Sequence, residues 1–426
     1  MITSVRLEGF KNFRDATLQL GPLTVIVGTN ASGKSNIRDA FRFLHGMGRG
    51  YSLAEIIGEK YVEGGVLVWR GIRGGVNEVG FNQTEVVRIR TSIQMWDVET
   101  LPGLDTSTTH EISVNLSDHR TGPKVMIESL REPLSTWPYA SHGSDDPPEQ
   151  EGPPYLFVRL PRDGQNRKHG KRLRFLDSRP VLSQVCESMD VPERYRDPAR
   201  KFLKSLESMR FLDLSPDAMK VPSVPGQIIL GDRGENLSSV LQAICNDDDT
   251  KRAMIEWVRQ LTPLDVSDFD FVPDQTGRVL LTLIESTGRR TSAYSASDGT
   301  LRFLAIIAAL MGPDSAKFYF LEEIDNGIHP TRLSLLLQLI EQQTKHCGIQ
   351  VVTTTHSPLM LAMLSPEARQ HASLVYRLEG STEAKITRIV DIPGANAVLE
   401  TQNIGRLHES GWLENAVQFA NVAETP

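Results

Sequence analysis

Apolar and polar residues alternate through SVRLEGF (4–10) and NFRDATLQL (12–20). A period of two is that of a strand with one buried face, and the short break between the runs predicts two antiparallel strands. LTVIV (23–27) is a short apolar strand, followed by a Gly-containing loop and a helix. In that helix Ile37, Ala40, Phe41 and Leu44 recur at i, i+3, i+4, i+7, one buried face. Residues 65–130 read as strand-rich (GVLVWRGI, EVVRIRTSIQMW, EISVNL, KVMIES). YLFVRL and KRLRFLD predict paired strands around a basic turn, and 197–210 and 236–262 predict helices. RVLLTLIE (278–285) predicts a strand leading into SAYSASDGT. The C-terminal third alternates: helix 300–311, strand KFYFL, helix 330–345, strand IQVVTTT, two weaker strands and a helical tail. Pro330 sits where a first helical residue is expected.

This order predicts an α/β chain in three parts. An N-terminal lobe spans 1–130, a strand/helix insertion spans 131–235, and a C-terminal lobe spans 236–426. The stretch EPLSTWPYASHGSDDPPEQEGPP (132–154), rich in Pro, Ser and acid, reads as a loop or flexible excursion. No internal repeat is visible.

Composition narrows the class. With 426 residues, 39% hydrophobic and 23% charged, the chain is long enough for a substantial core. Cys186, Cys245 and Cys347 are far apart without CxxC spacing, so they read as reduced thiols. The opening MITSVRLEGFKNF has no signal-peptide core, and the longest apolar run, FLAIIAALMG (303–312), is too short for a bilayer. A cytoplasmic protein with no membrane partner is expected. A net charge of −7 argues against nonspecific coating of nucleic acid, while leaving room for a local basic patch.

One stretch carries definite chemistry. GTNASGKS (28–35) fits G-x-x-x-x-G-K-[ST] between a strand and a helix, the setting that a phosphate-binding loop requires. Loop and helix N–H groups point at phosphates. Lys34 adds charge at the β- and γ-phosphates, and the Ser35 hydroxyl can ligate Mg²⁺. Such a loop does not choose between kinases, GTPases and ATPases; later residues do.

Those residues are ASDGT (296–300) opening a helix, LEEIDNG (321–327) after a strand, and TTTHSP (353–358) ending at His356. This order resembles the ABC-type ATPase heads of the RecF/SMC-like branch. LEGFKNFRDATLQLGPLTVIVGTNASGKSNIRDAFRF is similar to that branch's opening, and the short stretch after the histidine strand resembles its standalone OLD-like ATPases. The likeness covers roughly 1–95 and 230–426. It implies an ABC-type P-loop head: an antiparallel β lobe, a central mostly parallel sheet with flanking helices, and a mixed insertion. ATP and Mg²⁺ are the implied cofactors. Asn30, Ala31, Ser32, Gly33, Lys34, Ser35 and Asn36 would bind phosphate. Ser297 and Gly299 would contact the γ-phosphate of ATP held by a second copy. Asp298 and Thr300 stand where the wider family commonly has glycine and glutamine, a departure shared with the OLD-like branch. Glu322 would hold Mg²⁺ with Ser35, although most family members have aspartate there. Glu323 would orient and deprotonate the attacking water, His356 would sense the γ-phosphate, and Asp325 would lie in the loop crossing the dimer interface. Gln94 is the candidate for the family's Q-loop glutamine.

Two further stretches were weighed. RLPRDGQNRKHGKRLRF (159–175) holds seven basic residues, a possible contact for DNA or RNA phosphates or simply a solvated turn. DFD (268–270) lies in an alternating strand without accompanying metal-ligand motifs and reads as structural. The resulting expectation is an ATP-hydrolysing head that dimerises around ATP and reports to a nuclease or toxin effector, by analogy in bacterial antiphage defence. A RecF-like DNA-repair ATPase, a transporter subunit and a module using ATP as structural glue are the alternatives.

Overall fold

The computed structural model describes residues 1–94, 107–117, 122–133, 139–141, 155–160, 171–378, 380–399 and 403–423. Most of the expected excursion at 132–154, and Arg162, Arg167 and Lys168 of the basic turn, lie outside the described residues.

A six-stranded sheet forms the centre. From edge to edge its strands are Met209–Leu212, Phe318–Leu321, Gln350–Thr355, Leu23–Val27, Ala372–Arg377 and Ala384–Arg388. The first five are parallel, and only Ala384–Arg388 runs against its neighbour. Parallel strands are covered on both faces, which is why FYFL is an unbroken apolar run and LTVIV is broken only by the buried Thr24. Alternate residues feed two cores. Val25, Val27, Tyr319, Leu321 and Val351 pack with the helices Asp298–Met311 and Pro330–Cys347. Ile26, Phe318, Phe320 and Val352 pack on the other side, where helix α1 (Lys34–Gly48) buries Ile37, Ala40, Phe41 and Leu44. Phe41 meets Phe318 and Phe320 at centroid distances of 5.1 and 5.7 Å.

The second large sheet is antiparallel and eight-stranded. It runs Lys171–Leu176, Tyr155–Leu160, Tyr139–Ser141, Lys124–Arg131, Ser107–Asn115, Val86–Gln94, Ile2–Phe10 and Phe13–Gln19. Its one-sided burial follows the expected alternation, most regularly in Val86–Gln94. Within the expected excursion, Tyr139–Ser141 is a buried strand. The reason is a partner distant in sequence. The fully buried Glu128 accepts hydrogen bonds from Tyr139 Oη (3.1 Å) and His110 Nε2 (2.9 Å). It also accepts from the N–H groups of Val181 (2.6 Å) and Leu182 (2.7 Å), which open the helix Val181–Glu187. Burial pushes the Tyr139 phenol well up, so it remains a donor at neutral pH.

That helix packs on Glu193–Glu207, which packs on α1. The last contact is close: a Cβ at Gly48 would lie 2.4 Å from the Glu207 backbone nitrogen. The antiparallel sheet thereby braces the helix that starts at the phosphate loop. Removing the Glu128 carboxylate leaves two helix N–H groups and a phenol unpaired in the core. Glu128→Ala is expected to lower stability by about 3–5 kcal/mol, read as a shifted urea midpoint; an unchanged midpoint would refute the bracing role.

Candidate functional site

Strand ends set the site. Val27 is level with Thr355, and Leu321 with Thr353. The chain segments following these strands therefore emerge together at the carboxyl edge of the sheet, where open α/β sheets bind ligands. They are the phosphate loop, LEEIDNG and His356.

The loop itself is held from below. Ala31 and Gly33 have positive φ, 63° and 124°. A Cβ at Gly33 would come within 2.6 Å of the Asn12 amide nitrogen, so only glycine fits this crossing. Asn12 donates to the Ser32 carbonyl (3.2 Å) and accepts from Asn36 Nδ2 (2.8 Å). Thr29, Asn30 and Ala31 are exposed, whereas Ser32, Gly33 and Lys34 are buried and Ser35 and Asn36 half-buried. Lys34 Nζ donates to the carbonyls of Gly28 and Thr29, the latter at 3.0 Å. Burial pushes its pKa down, and the charge of Glu323 opposes this. The Ser32 hydroxyl is buried without a hydrogen-bond partner. A cationic cradle with an orphaned hydroxyl suits a phosphate group.

The two adjacent carboxylates diverge. Glu323 has φ +45°, a left-handed conformation unusual for glutamate. Its N–H donates to Thr354 Oγ1 (3.2 Å), and its carbonyl accepts from Asn326 N (2.9 Å). This sharp exit from the sheet sends Glu323 toward Lys34 and His356, whose Nδ1 lies 3.6 Å from Glu323 Oε1. Glu322 turns the other way and accepts from Arg38 Nη1 at 3.1 Å. Burial pushes the Glu322 carboxyl up, and Arg38 pulls it back. Lys34 and Arg38 are one turn apart on α1, so a single helix supplies a cation for each acid. Asp325 is tied within the chain: its Oδ2 accepts from Thr355 Oγ1 (3.0 Å), and its Oδ1 is buried without a partner.

The ASDGT turn lies against the same loop. A Cβ at Gly299 would be 3.2 Å from the Gly327 carbonyl. Ser297 caps the helix Asp298–Met311, accepting from Thr300 N (3.2 Å), and Asp298 pairs with Lys220 (3.0 Å). Ser297 and Asp298 are exposed. Among the described residues, no hydrogen bond or ion pair joins this turn to residues 28–36.

One expectation is displaced, and two further stretches find partners within the chain. Gln94 sits at the far end of the antiparallel sheet, where its carbonyl accepts from the N-terminal amine of Met1 (2.8 Å). Asn12 lies at the opposite end of the neighbouring strand Ile2–Phe10, so Gln94 is remote from the loop. In DFD, Asp268 pairs with Lys251 (2.6 Å) and Asp270 with Arg290, around a buried Phe269. On the basic hairpin, Arg172 and Arg174 lie over the rings of Phe157 and Tyr155, at 3.6 and 5.2 Å. Conversely, Asn12, Arg38, Thr354 and Thr355 were not singled out by the motifs. Asn12 stands in the FKNF stretch and the threonines in TTTHSP, but their partners follow other strands, in the loop and helix after Val27 and in the turn after Leu321.

Comparison with known proteins agrees with this geometry. Residues 23–362 match the family described as "AAA domain, putative AbiEii toxin, Type IV TA system". A Helicobacter pylori (strain ATCC 700392 / 26695) protein described as "ATP/GTP phosphatase" is 21% identical over 374 residues, spanning 87% of this chain and 89% of the relative. The crystal structure of an SMC head bound to the C-terminal winged-helix domain of ScpA superposes with a TM-score of 0.51 at 14% identity, covering 91% of this chain and 97% of that one. The SMC head domain from Thermotoga maritima gives a TM-score of 0.40 at 14% identity, covering 91% and 98%. The first of these superpositions shows the fold, the mixed α/β fold of SMC-type ABC ATPase heads.

Asn12 provides the test of how the loop is held. Asn12→Ala removes two hydrogen bonds beneath the loop, each worth about 1 kcal/mol. Titration with a fluorescent ATP analogue should show affinity reduced about tenfold or more; wild-type affinity would mean that the loop needs no such support.

Proposed function

The chain belongs to this AAA-domain, AbiEii-type family, and from that premise we propose that it is an ATP-hydrolysing head that closes on a second copy around ATP and signals to an effector protein. The observation that carries this reading is the meeting of Lys34, Glu323 and His356 at one sheet edge, beside a loop shaped for phosphate. ATP phosphates would lie on the backbone N–H groups of Asn30–Asn36, with Lys34 neutralising the γ-phosphate. Mg²⁺, when bound, screens the phosphate charge. Ser35 and Glu322 would hold it, Glu322 sharing its carboxylate between the ion and Arg38.

Glu323 then positions a water and takes its proton as the water oxygen bonds to the γ-phosphorus and the bond to ADP breaks. An ordinary carboxylate is a weak base, so most of the rate comes from positioning and charge stabilisation. His356, 3.6 Å from Glu323, would hydrogen-bond the departing phosphate. Ser297 faces outward at a helix N-terminus, which favours a phosphate supplied by a second copy. Tyr294 (60% exposed) and Leu359 (40% exposed) flank Ser297 and His356, as an interface covered in the closed state would require. Contacts of ATP with both copies make the closed state conditional on the γ-phosphate.

The effector in this reading is a nuclease or toxin, and the setting is bacterial antiphage defence. The family description, which names a toxin–antitoxin system, accords with a two-component arrangement. Direct contact of DNA or RNA through 159–175 has less support, since Arg172 and Arg174 are engaged with rings of their own hairpin.

Glu323→Gln is expected to abolish ATP turnover, keep binding and accumulate an ATP-bound dimer in size-exclusion chromatography. Turnover equal to wild type would overturn the base assignment. Lys34→Ala should lose nucleotide binding in the same titrations; retained affinity would overturn the phosphate-loop role.

A further inference from the structure

The outward face of α1 continues past the phosphate loop as a basic stripe. After Lys34 come Arg38, Arg42, His45 and Arg49, spaced so that all four lie along one side of the helix. This side walls a cavity of about 1150 Å³ whose lining includes none of Lys34, Glu323 and His356. Its other walls are the hairpin that ends at Trp69, the edge strand Met209–Leu212 and the loop 231–235. The hairpin adds Arg70 and Arg73, the edge strand Arg210, and the loop Arg233. Seven arginines and no lysine line one cavity, against five carboxylates.

Few of these guanidiniums are neutralised. Within ion-pair distance, among the described residues, only Arg38 (to Glu322) and Arg73 (to Asp39) meet a carboxylate. Arg210 and Arg233 reach only a backbone carbonyl and a serine hydroxyl. Arg42 is the most telling. Its guanidinium lies over Trp69 (4.7 Å) and Phe211 (5.6 Å), and its Nε is buried without a hydrogen-bond partner. Burial pushes the Arg42 pKa down, the signature of a desolvated cation. A stacked guanidinium keeps its edge free for in-plane acceptors. His45 adds no charge, since burial pushes it down to about 4.

We propose that this cavity is a second anion site, distinct from the phosphate loop, and that it takes a multiply phosphorylated small molecule of nucleotide size. Arginine forks match phosphate oxygens in pairs. The volume is near the range of about 300–1,000 Å³ usual for small-molecule sites. Glu59, Asp213, Asp232 and Glu235 also line the cavity. These acids interrupt the positive surface that a long nucleic-acid backbone would follow, and so favour a compact ligand. Arg38 touches both sites: it lines the cavity and holds Glu322.

The test uses the full chain carrying Lys34→Ala, so that the phosphate loop contributes nothing and the outcome does not depend on the ATPase reading. Titration calorimetry with inorganic tripolyphosphate should show saturable binding. Adding Arg49→Glu and Arg70→Glu, both at exposed positions, should weaken it tenfold or more while the thermal melt stays unchanged. Absence of binding, or binding indifferent to the double reversal, overturns the site. A short single-stranded oligonucleotide that binds through the same two arginines more tightly than tripolyphosphate overturns the small-molecule assignment in favour of a strand.

Discussion

Everything at the site depends on the register of three parallel strands drawn from distant parts of the chain. Thr355 pairs with Val27 and Leu321 with Thr353, so the phosphate loop, the acidic pair and His356 leave the sheet at one level. The two cores enforce that register. A slip by one residue would send Ile26, Phe320 and Val352 into the core that now holds Val25, Leu321 and Val351. The same slip would turn the side chains beside the site to the opposite face. Packing of the sheet and alignment of the chemistry are therefore one constraint.

The carboxyl edge solves a problem of crowded charge. Two adjacent glutamates leaving a buried strand would repel one another if both turned to the same side. The left-handed φ of Glu323 separates them, at a cost on the order of 1–3 kcal/mol. Thr354 and the bond from Asn326 hold that conformation. Helix α1 then offers Arg38 to one acid and Lys34 to the other. Burial works against the charged form of both Glu322 and Lys34, so each depends on its opposite partner. The acid beside Lys34 and the acid paired with Arg38 are neighbours in sequence, and Arg38 also lines the arginine-rich cavity.

The fold class and the principal motifs were legible because each rests on local spacing. GTNASGKS needs only its fixed residues, a strand before it and a helix after it. FYFL and LTVIV are recognisable as buried strands because they are almost wholly apolar. In the sequence Tyr139 reads as part of a loop, because its neighbours are proline, serine and acid. Its burial follows from Glu128, eleven positions upstream, and from a helix beginning at 181. Gln94 stands at a strand end, yet antiparallel pairing puts that end beside Met1 and away from the loop 28–35.

The amino-acid sequence by itself determined the main elements, their order and the candidate phosphate loop, because helix and strand periodicity and short motifs are properties of neighbours along the chain. It also determined that Glu322, Glu323 and His356 end strands. Which way those side chains point was decided by tertiary structure alone. Arg38 meets Glu322 across 284 positions and Asn12 meets Ser32 across 20. The arginine-lined cavity is assembled from α1, a hairpin, an edge strand and a distant loop. Such contacts arise from strand register and helix packing, and no local pattern encodes a partner that only the folded sheet brings within reach.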